Sequence, residues 1–189
     1  METPEQKPQN FWRELVKLVL LSIIIVVPFR LYIAQPFIVD GASMDPTFKN
    51  GQYLVVDELS YHFREPERGE VLIFKYPKDP SKYFIKRIIG LPGEKVQINN
   101  GQVTIYNNTN QNGLTLEEPY VKLTKSDTST FQLSEAEYFV MGDNRAQSAD
   151  SRIWGAVPRD NIVGRPFIRF LPPAFFPGAA AYQETNTTN

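Results

Sequence analysis

The stretch KVQINNGQVTIY, residues 95–106, decides the fold class of this chain. Apolar and polar residues alternate on both sides of Asn100 and Gly101, which is the pattern of two strands that each bury one face. An Asn-Gly pair at such a junction supplies the positive φ angles of a tight two-residue turn. The stretch therefore predicts a β-hairpin.

Further β-rich runs, bounded by Gly and Pro, lie on both sides of this hairpin, at residues 53–56, 70–75, 83–89 and 138–141. Residues 107–130 are polar and rich in Gly, Ser, Thr and Asn, which predicts a long loop or an insertion. We predict one mostly β domain over residues 35–171. The Pro-containing, polar residues 172–189 are predicted to be a disordered tail.

The N-terminal segment, residues 1–34, carries the longest apolar stretch of the chain. Its uncharged core, residues 18–29, is shorter than the ~20 residues of a membrane-spanning helix, but the flanking apolar residues bring it into that range. Trp12 and Tyr32 stand where interfacial aromatic residues are expected. Acidic residues in the leader disfavour a cleavable signal peptide, and a buried core helix is the other alternative. We predict a single transmembrane anchor.

Composition excludes several classes of function. The 189 residues carry a net charge of −1 with no long basic run, so we expect no nucleic-acid partner. No cysteine is present, which excludes disulfides, thiol nucleophiles and cysteine-ligated metals. His62 is the only histidine, so sites with several histidine ligands are excluded as well. We expect neither a metal nor a cofactor.

Ser43 and Lys86 are the candidates for chemistry. A serine hydroxyl is a weak nucleophile that needs an adjacent base, and taken alone Ser43 reads as part of an ordinary solvent-facing turn. His62 follows Tyr61 in a polar loop, which favours a surface position. Strand alternation places Lys86 on an apolar face, where burial would lower its pKa towards that of a working base. A lysine whose head group reaches water is the commoner outcome on propensity alone.

Four segments carry a family resemblance: VDGASMDPTF (39–48), RGEVLIFKYP (68–77), KRIIGLPGE (86–94) and MGDNRAQSADSR (141–152). With these segments in this order behind an N-terminal anchor, the chain closely resembles bacterial type I signal peptidases, from the anchor to about Phe170. The resemblance implies a signal-peptidase-like antiparallel β domain that follows one N-terminal transmembrane helix. It implies that Ser43, in a Ser-Met-x-Pro-Thr motif, is the nucleophile. It places the general base at Lys86, whose pKa we expect near or below neutrality.

The same resemblance assigns supporting residues. Ser148 matches a serine that hydrogen-bonds and orients the base. A charged cluster matches residues that support the site, and we interpret it mainly as a structural ion-pair network: Asp143, Arg145, Asp150 and Arg152. Many family members have an oxyanion-binding serine two residues before the nucleophile, but this chain has Gly41. The oxyanion is then expected to rely mainly on the backbone N–H of Ser43.

The function that the resemblance implies is removal of signal peptides from exported preproteins, with cleavage after A-x-A-like sites. The enzyme would be single-pass in the cell membrane with its catalytic domain on the extracytoplasmic side, a place compatible with contact with the export machinery. The extended substrate is expected to pair with strand edges at residues 39–41 and 83–85. Phe37, Met44 and Phe48 are expected to contact lipid.

Two alternatives stay open at the level of sequence. One is a related Ser/Lys protease that cleaves itself or a regulator. The absence of a DNA-binding domain counts against it. The other is a non-enzymatic, membrane-anchored β domain that binds partners. Activity that survives loss of Ser43 and Lys86 would favour the second alternative.

Overall fold

A computed structural model describes residues 11–32, 35–122 and 124–176. Helix α1 (Phe11–Tyr32) comes first, and a short helix, α2 (Ser151–Trp154), and three short 3-10 helices (Ser60–His62, Arg145–Gln147 and Arg159–Asn161) lie among the strands. The strands are β1 (Gln35–Ile38), β2 (Tyr53–Asp57), β3 (Val71–Tyr76), β4 (Asp79–Gly90), β5 (Lys95–Asn99), β6 (Gln102–Tyr106), β7 (Leu114–Thr115), β8 (Thr128–Gln132), β9 (Glu137–Met141), β10 (Val157–Pro158), β11 (Ile162–Arg169) and β12 (Ala174–Phe175). The mostly β fold class is confirmed.

The larger sheet has eight strands, with the order β1-β2-β11-β3-β4-β9-β10 and with β12 paired to β11. All of its strand pairs are antiparallel. Strand β4 lies between β3 and β9 in this sheet. Its first half is largely exposed, whereas every residue from Lys86 to its end is buried. Lys86 is thus the first position at which β4 enters the interior.

The smaller sheet has the order β7-β6-β5-β8 and is also antiparallel. The predicted hairpin is confirmed: Asn99 pairs with Gln102 across a two-residue turn in which Asn100 has φ 51° and Gly101 has φ 82°. The segment 107–130, predicted as a loop, supplies β7 and the start of β8. Both strands are held by pairing with the hairpin strands, and Leu114 of β7 and Phe131 of β8 also pack in the apolar cluster between the sheets.

Strands β10, β11 and β12 also lie where sequence patterning showed none. Strand β11 contains Gly164 and Pro166, which interrupt the alternation that marks a strand, and its register with β2 shifts between Pro166 and Ile168. Gly164 is required by close packing, because a Cβ there would lie 2.5 Å from the carbonyl oxygen of Asp57. Strand β12 lies in the segment predicted as a disordered tail and pairs with β11. Residues 177–189 of that tail lie outside the described residues.

The core of the described chain falls into three clusters. One joins the two sheets, with Val96 and Ile105 from the smaller sheet packed with Ile89 and Phe139 from the larger. The second packs around Phe74, Ile88 and Trp154. The third contains Val39, Met44, Phe48 and Leu54.

Met44 and Phe48 are fully buried, so the expectation that they contact lipid was wrong. The connection between β1 and β2 folds back onto the sheet, with hydrogen bonds from Val39 N to Gln52 O (2.9 Å) and from Gly51 N to Val39 O (2.8 Å). Phe48 also packs on Phe176, with the ring centroids 4.8 Å apart. The apolar residues of this connection therefore point into the protein.

Helix α1 lies outside all three core clusters. Its described side chains from Phe11 to Ile24 are exposed, although most of them are apolar. Among the residues that the structure describes, no helix is both long and apolar enough to cross a membrane. Residues 1–10 and 33–34 of the predicted anchor segment lie outside the described residues.

Candidate active site

Ser43 lies on the turn that joins β1 to β2. The turn is closed by a hydrogen bond from Phe48 N to Met44 O (2.9 Å), and both of these side chains are buried beneath it. Gly41 begins the turn with φ 89°, a conformation that residues with a side chain rarely adopt. The Gly41 N–H donates to Asn50 Oδ1 (2.8 Å). Burial of its neighbours leaves Ser43 half-buried at the surface of the domain.

Lys86 reaches Ser43 from β4. Its ammonium nitrogen Nζ lies 2.8 Å from Ser43 Oγ and 2.9 Å from the carbonyl oxygen of Ile85. Nζ also lies 5.4 Å from the centre of the Phe84 ring. Lys86 is only 5% exposed, which excludes the interpretation of a lysine whose head group reaches water. The structure therefore brings together the two residues that sequence analysis had singled out.

Burial lowers the pKa of Lys86 from 10.5 to about 8, while the negative charges of Asp150 and Asp143 act in the opposite direction. This pKa is higher than the expected value near or below neutrality, because those two carboxylates offset part of the desolvation. Above this pH the neutral amine can accept a proton from the Ser43 hydroxyl.

A buried ion pair ties the Ser43 turn to β4. Arg87 follows Lys86 and points to the opposite face, where its guanidinium donates to both carboxylate oxygens of Asp143 (2.8 and 2.6 Å). The same carboxylate accepts a hydrogen bond from Thr47 Oγ1 (2.5 Å). The N–H of Asn144 donates to Ser43 O (3.0 Å). These contacts link the turn that carries Ser43 to the strand that carries Lys86.

Ser148 does not make the predicted hydrogen bond to Lys86. Its Oγ is buried and has no hydrogen-bond partner among the described residues. The hydroxyl instead lies close to Gly142, where a Cβ would come within 2.4 Å of both Ser148 Oγ and Ser43 O. An orienting role of Ser148 towards Lys86 stays a prediction.

The predicted charged cluster is largely a network of buried ion pairs. Burial raises the pKa of Asp150, but hydrogen bonding and the charge of Arg152 outweigh it, so the net pKa is lowered. Arg152 Nε donates to Asp150 Oδ1 (2.8 Å), and its Nη1 donates to Asp127 Oδ2 (2.9 Å). Arg145 pairs with Glu118.

Five further residues of this network were not predicted from the sequence: Thr47, Arg87, Glu118, Tyr120 and Asp127. Two of them had a signal in the sequence: Thr47 ends the Ser-Met-x-Pro-Thr motif, and alternation in β4 sets Arg87 opposite Lys86. His62 is exposed, as predicted, with Nδ1 3.1 Å from Glu58 O.

A groove of about 310 Å³ opens above the serine and the lysine. Residues 37–43 form one wall and residues 83–86 form the other, so both predicted strand edges line it. The rings of Phe37 and Tyr83 approach across the groove, with centroids 5.4 Å apart. Among the described strands, β1 ends the sheet and pairs only with β2, so its outer edge is open to an extended peptide.

Two further properties of the site concern its backbone donors and its capacity to hold a metal ion. The Ser43 N–H forms no hydrogen bond within the described chain, so it is available to a developing oxyanion. No group of three or more His, Cys, Asp or Glu residues that could hold a metal ion occurs in the described part of the chain.

Comparison with known proteins identifies the relatives of this chain. Residues 12–171 match the family described as signal peptidase, peptidase S26. A probable signal peptidase I-2 of Synechocystis sp. is 37% identical over 175 residues, covering 89% of this chain and 77% of the relative. A signal peptidase I of Leptolyngbya laminosa is 38% identical over 166 residues, covering 83% and 78%. A crystal structure of a signal peptidase I from Enterococcus faecalis is 30% identical, covering 54% of this chain and 97% of its own, with a TM-score of 0.46.

A serine beside a buried lysine, in a groove open to an extended peptide, together with these relatives, defines the class of protein as a serine endopeptidase. Within that class, the chain belongs to the signal peptidase family, peptidase S26. The family resemblance read from the four segments is therefore confirmed.

Proposed function

We propose that this protein removes signal peptides from exported preproteins, with Ser43 as nucleophile and Lys86 as general base. The observation that carries the proposal is the 2.8 Å separation of Lys86 Nζ and Ser43 Oγ, with the lysine buried and facing a groove. The names of the relatives supply the class of substrate.

The reaction is acyl transfer in two stages. Neutral Lys86 accepts the hydroxyl proton as Ser43 Oγ attacks the carbonyl carbon of the scissile bond, and the C–N bond then breaks as Lys86 returns this proton to the leaving amine. Lys86 next takes a proton from a water molecule, whose oxygen attacks the carbonyl carbon of the acyl-enzyme. The bond from this carbon to Ser43 Oγ then breaks, Lys86 returns the proton to Ser43 Oγ, and the signal peptide leaves with a new carboxylate. The buried lysine suits both stages because its neutral form is accessible near pH 8.

The Ser43 N–H is the proposed oxyanion donor. Gly41 supplies no hydroxyl, and its own N–H is already bonded to Asn50. Removal of a single oxyanion donor costs about 10²–10³ in rate, so the backbone donor at Ser43 is expected to contribute strongly. The Asn50 contact keeps the turn in the shape that presents it.

The proposed substrate segment is extended and has small residues at the first and third positions before the cut. It would pair with the groove walls at residues 39–41 and 83–85, and its alternate side chains would point into the groove. The contact between Phe37 and Tyr83 narrows the groove, which favours small side chains there.

We further propose that the protein is held in the cell membrane by its N-terminal segment, with the catalytic domain on the extracytoplasmic side. The support is α1, whose apolar side chains are exposed all around the described part of the helix. A helix with this many exposed apolar side chains needs a partner that covers them, and a lipid bilayer is such a partner. This position would bring the site to substrates that are themselves held in the bilayer.

The decisive experiment is cleavage of a radiolabelled preprotein with an A-x-A site, in detergent, by wild type, Ser43→Ala and Lys86→Ala. We expect wild type alone to cut after the last alanine, with activity falling as the pH drops below about 8 because the base becomes protonated. Lys82→Ala is the matched control, since Lys82 is in the same strand with a side chain that is 65% exposed.

Cleavage by Lys82→Ala at the wild-type rate would show that loss of a lysine from β4 is not itself the cause of inactivity. If Ser43→Ala and Lys86→Ala also cut, the proposed pair is refuted. If no folded protein cuts, a binding function of the groove becomes the better explanation.

A further inference from the structure

We propose that Glu118, Tyr120 and Asp127, three residues of the connection between β7 and β8, are positioning residues for the catalytic pair. We call them the strap residues. The inference rests on the function proposed above for Ser43 and Lys86. Each strap residue contacts an arginine of the network behind the site: Arg145, Arg87 and Arg152, respectively.

Glu118 acts through Arg145. Arg145 is 2% exposed and donates to Glu118 through both terminal nitrogens, one of them at 2.8 Å. Its Nε donates to Gly142 O (3.1 Å). Gly142 packs directly against Ser43 O and Ser148 Oγ, with no room for a Cβ. Glu118 thus holds the arginine that holds the backbone beneath the nucleophile.

Tyr120 acts through Arg87, the residue after Lys86. The guanidinium of Arg87 lies 4.1 Å from the centre of the Tyr120 ring. A ring face in this position attracts the cation and shields it from water. The same guanidinium forms the two-pronged ion pair with Asp143, to which Thr47 is bonded. The Tyr120 hydroxyl also donates to Glu118 Oε1 (2.8 Å), which couples two of the strap residues.

Asp127 acts through Arg152. Its carboxylate accepts from Arg152 Nη1 (2.9 Å), while Arg152 donates to both oxygens of Asp150 (2.8 and 2.9 Å). Arg152 Nη2 also donates to Arg145 O (2.8 Å), which joins this branch to the first one. Asp150 interacts electrostatically with Lys86 and accepts from Gly142 N (3.1 Å). Asp127 therefore orients the arginine that orients this carboxylate.

The strap residues do not line the described groove. Their effect is therefore on the position of Ser43 and Lys86 and not on substrate binding. Because a small misplacement of reacting groups slows an enzyme strongly, loss of a strap contact should lower kcat and leave KM almost unchanged. A role limited to folding would lower thermal stability without changing kcat of the folded enzyme.

The test measures kcat and KM of preprotein cleavage for the full chain in detergent, at a temperature where circular dichroism shows each variant to be folded. Glu118→Gln keeps the shape of the side chain and removes its charge. Its matched control is Glu117→Gln, because Glu117 is the exposed neighbour of Glu118. We expect Glu118→Gln to lower kcat about tenfold or more with KM within about twofold, and Glu117→Gln to match wild type.

A second pair keeps the test decisive if Glu118→Gln does not fold. Tyr120→Phe retains the ring over Arg87, whereas Tyr120→Leu removes it. Asp127→Asn tests the third contact. We expect the order of kcat to be wild type, then Tyr120→Phe, then Tyr120→Leu, and we expect Asp127→Asn to fall below wild type.

Wild-type kcat in the folded Glu118→Gln, Tyr120→Leu and Asp127→Asn proteins would overturn the proposal, and so would a rise in KM at unchanged kcat. Ser43→Ala is assayed in the same series. If it is inactive while the strap variants turn over normally, only the strap inference fails. If Ser43→Ala is active, the proposed function fails and this inference with it.

Discussion

At the scale of single residues, the site depends on where Lys86 lies along its strand. It is the first position of β4 from which every residue is buried to the strand's end, so its ammonium group leaves bulk water while its neighbours towards Asp79 remain accessible. Burial lowers its pKa, and Asp150 and Asp143 stop that pKa from falling further than about 8. The balance leaves a lysine that is neutral under mildly alkaline conditions and hydrogen-bonded to Ser43.

The buried lysine should make stability depend on pH. In the unfolded chain its pKa returns to 10.5, so between about pH 8 and 10.5 the unfolded state binds more protons and stability rises with pH. Below pH 8 the folded protein bears the whole cost of the buried charge, roughly 3 kcal/mol. Lys86→Met removes the titrating group and with it this pH-dependent contribution to stability.

Denaturant unfolding of wild type and Lys86→Met at several pH values measures the effect. We expect the variant's stability relative to wild type to decrease by roughly 3 kcal/mol between pH 6 and pH 10.5. The variant also loses the hydrogen bonds of Lys86 to Ser43 and Ile85, which changes its stability at every pH. The informative quantity is therefore how the stability difference between variant and wild type changes with pH. A difference that is constant across this range would contradict a lowered lysine pKa.

Gly142 gives a second prediction at this scale. A methyl group at this position would lie 2.4 Å from Ser43 O and from Ser148 Oγ, so the backbone under the nucleophile has to move. We expect Gly142→Ala to lose about 1–3 kcal/mol of stability and most of its activity. Gly155→Ala is a control for general glycine effects, because a Cβ there has no neighbour within 4 Å, although its φ of +98° adds some strain. Full activity in folded Gly142→Ala would refute this packing argument.

At the scale of elements, the two sheets contribute to the candidate site in different ways. Strands β4 and β9 of the larger sheet carry residues of the candidate site: Lys86 lies in β4, and Gly142 and Asp143 directly follow β9. The smaller sheet lies outside the groove but packs on the larger one through a shared apolar cluster. Its β7–β8 connection reaches back to the arginines of the site.

The β5–β6 hairpin offers the test at this scale. Gly101 has φ +82°, and a Cβ there would also lie 2.9 Å from Lys125 O. Both features penalise Gly101→Ala, which should lose at least about 1 kcal/mol of stability in thermal or denaturant unfolding. Gln102→Ala, an exposed change at the next residue, serves as the control. Equal stability of the two variants would contradict the requirement for a positive φ.

At the scale of the whole molecule, α1 contributes little to the stability of the β body, by which we mean the strands and their connections from residue 35 to residue 176. The core clusters begin at Val39, and the described side chains of α1 are exposed. We expect a chain without residues 1–34 to unfold at the same denaturant concentration as the full chain. Binding to lipid vesicles should depend on α1, in contrast to stability. In a flotation assay, we therefore expect the full chain to float with the vesicles and the shortened chain to stay behind. Flotation of the shortened chain would show that the β body itself binds lipid.

Local patterns predicted much of this protein. Alternation around Asn100 and Gly101 was enough for the hairpin, and the four motif segments were enough for the family and for pairing Ser43 with Lys86. Strand β11 was not predicted because Gly164 and Pro166 break its alternation. The structure accommodates both residues beside β2, where Gly164 packs closely against Asp57 and the register shifts after Pro166. The lipid role expected for Met44 and Phe48 failed because a short apolar segment does not reveal which side of it is covered.

What the sequence by itself determined was therefore the class of fold, the β5–β6 hairpin and, through the resemblance of four segments to a known family, the pairing of Ser43 with Lys86, because these depend on residues that are neighbours along the chain. The tertiary structure alone decided that Lys86 is buried, that its pKa settles near 8, and that Glu118, Tyr120 and Asp127 lie against the arginines behind the site. Desolvation and ion pairing depend on groups that approach from distant parts of the chain, and residue patterning carries no record of those distances.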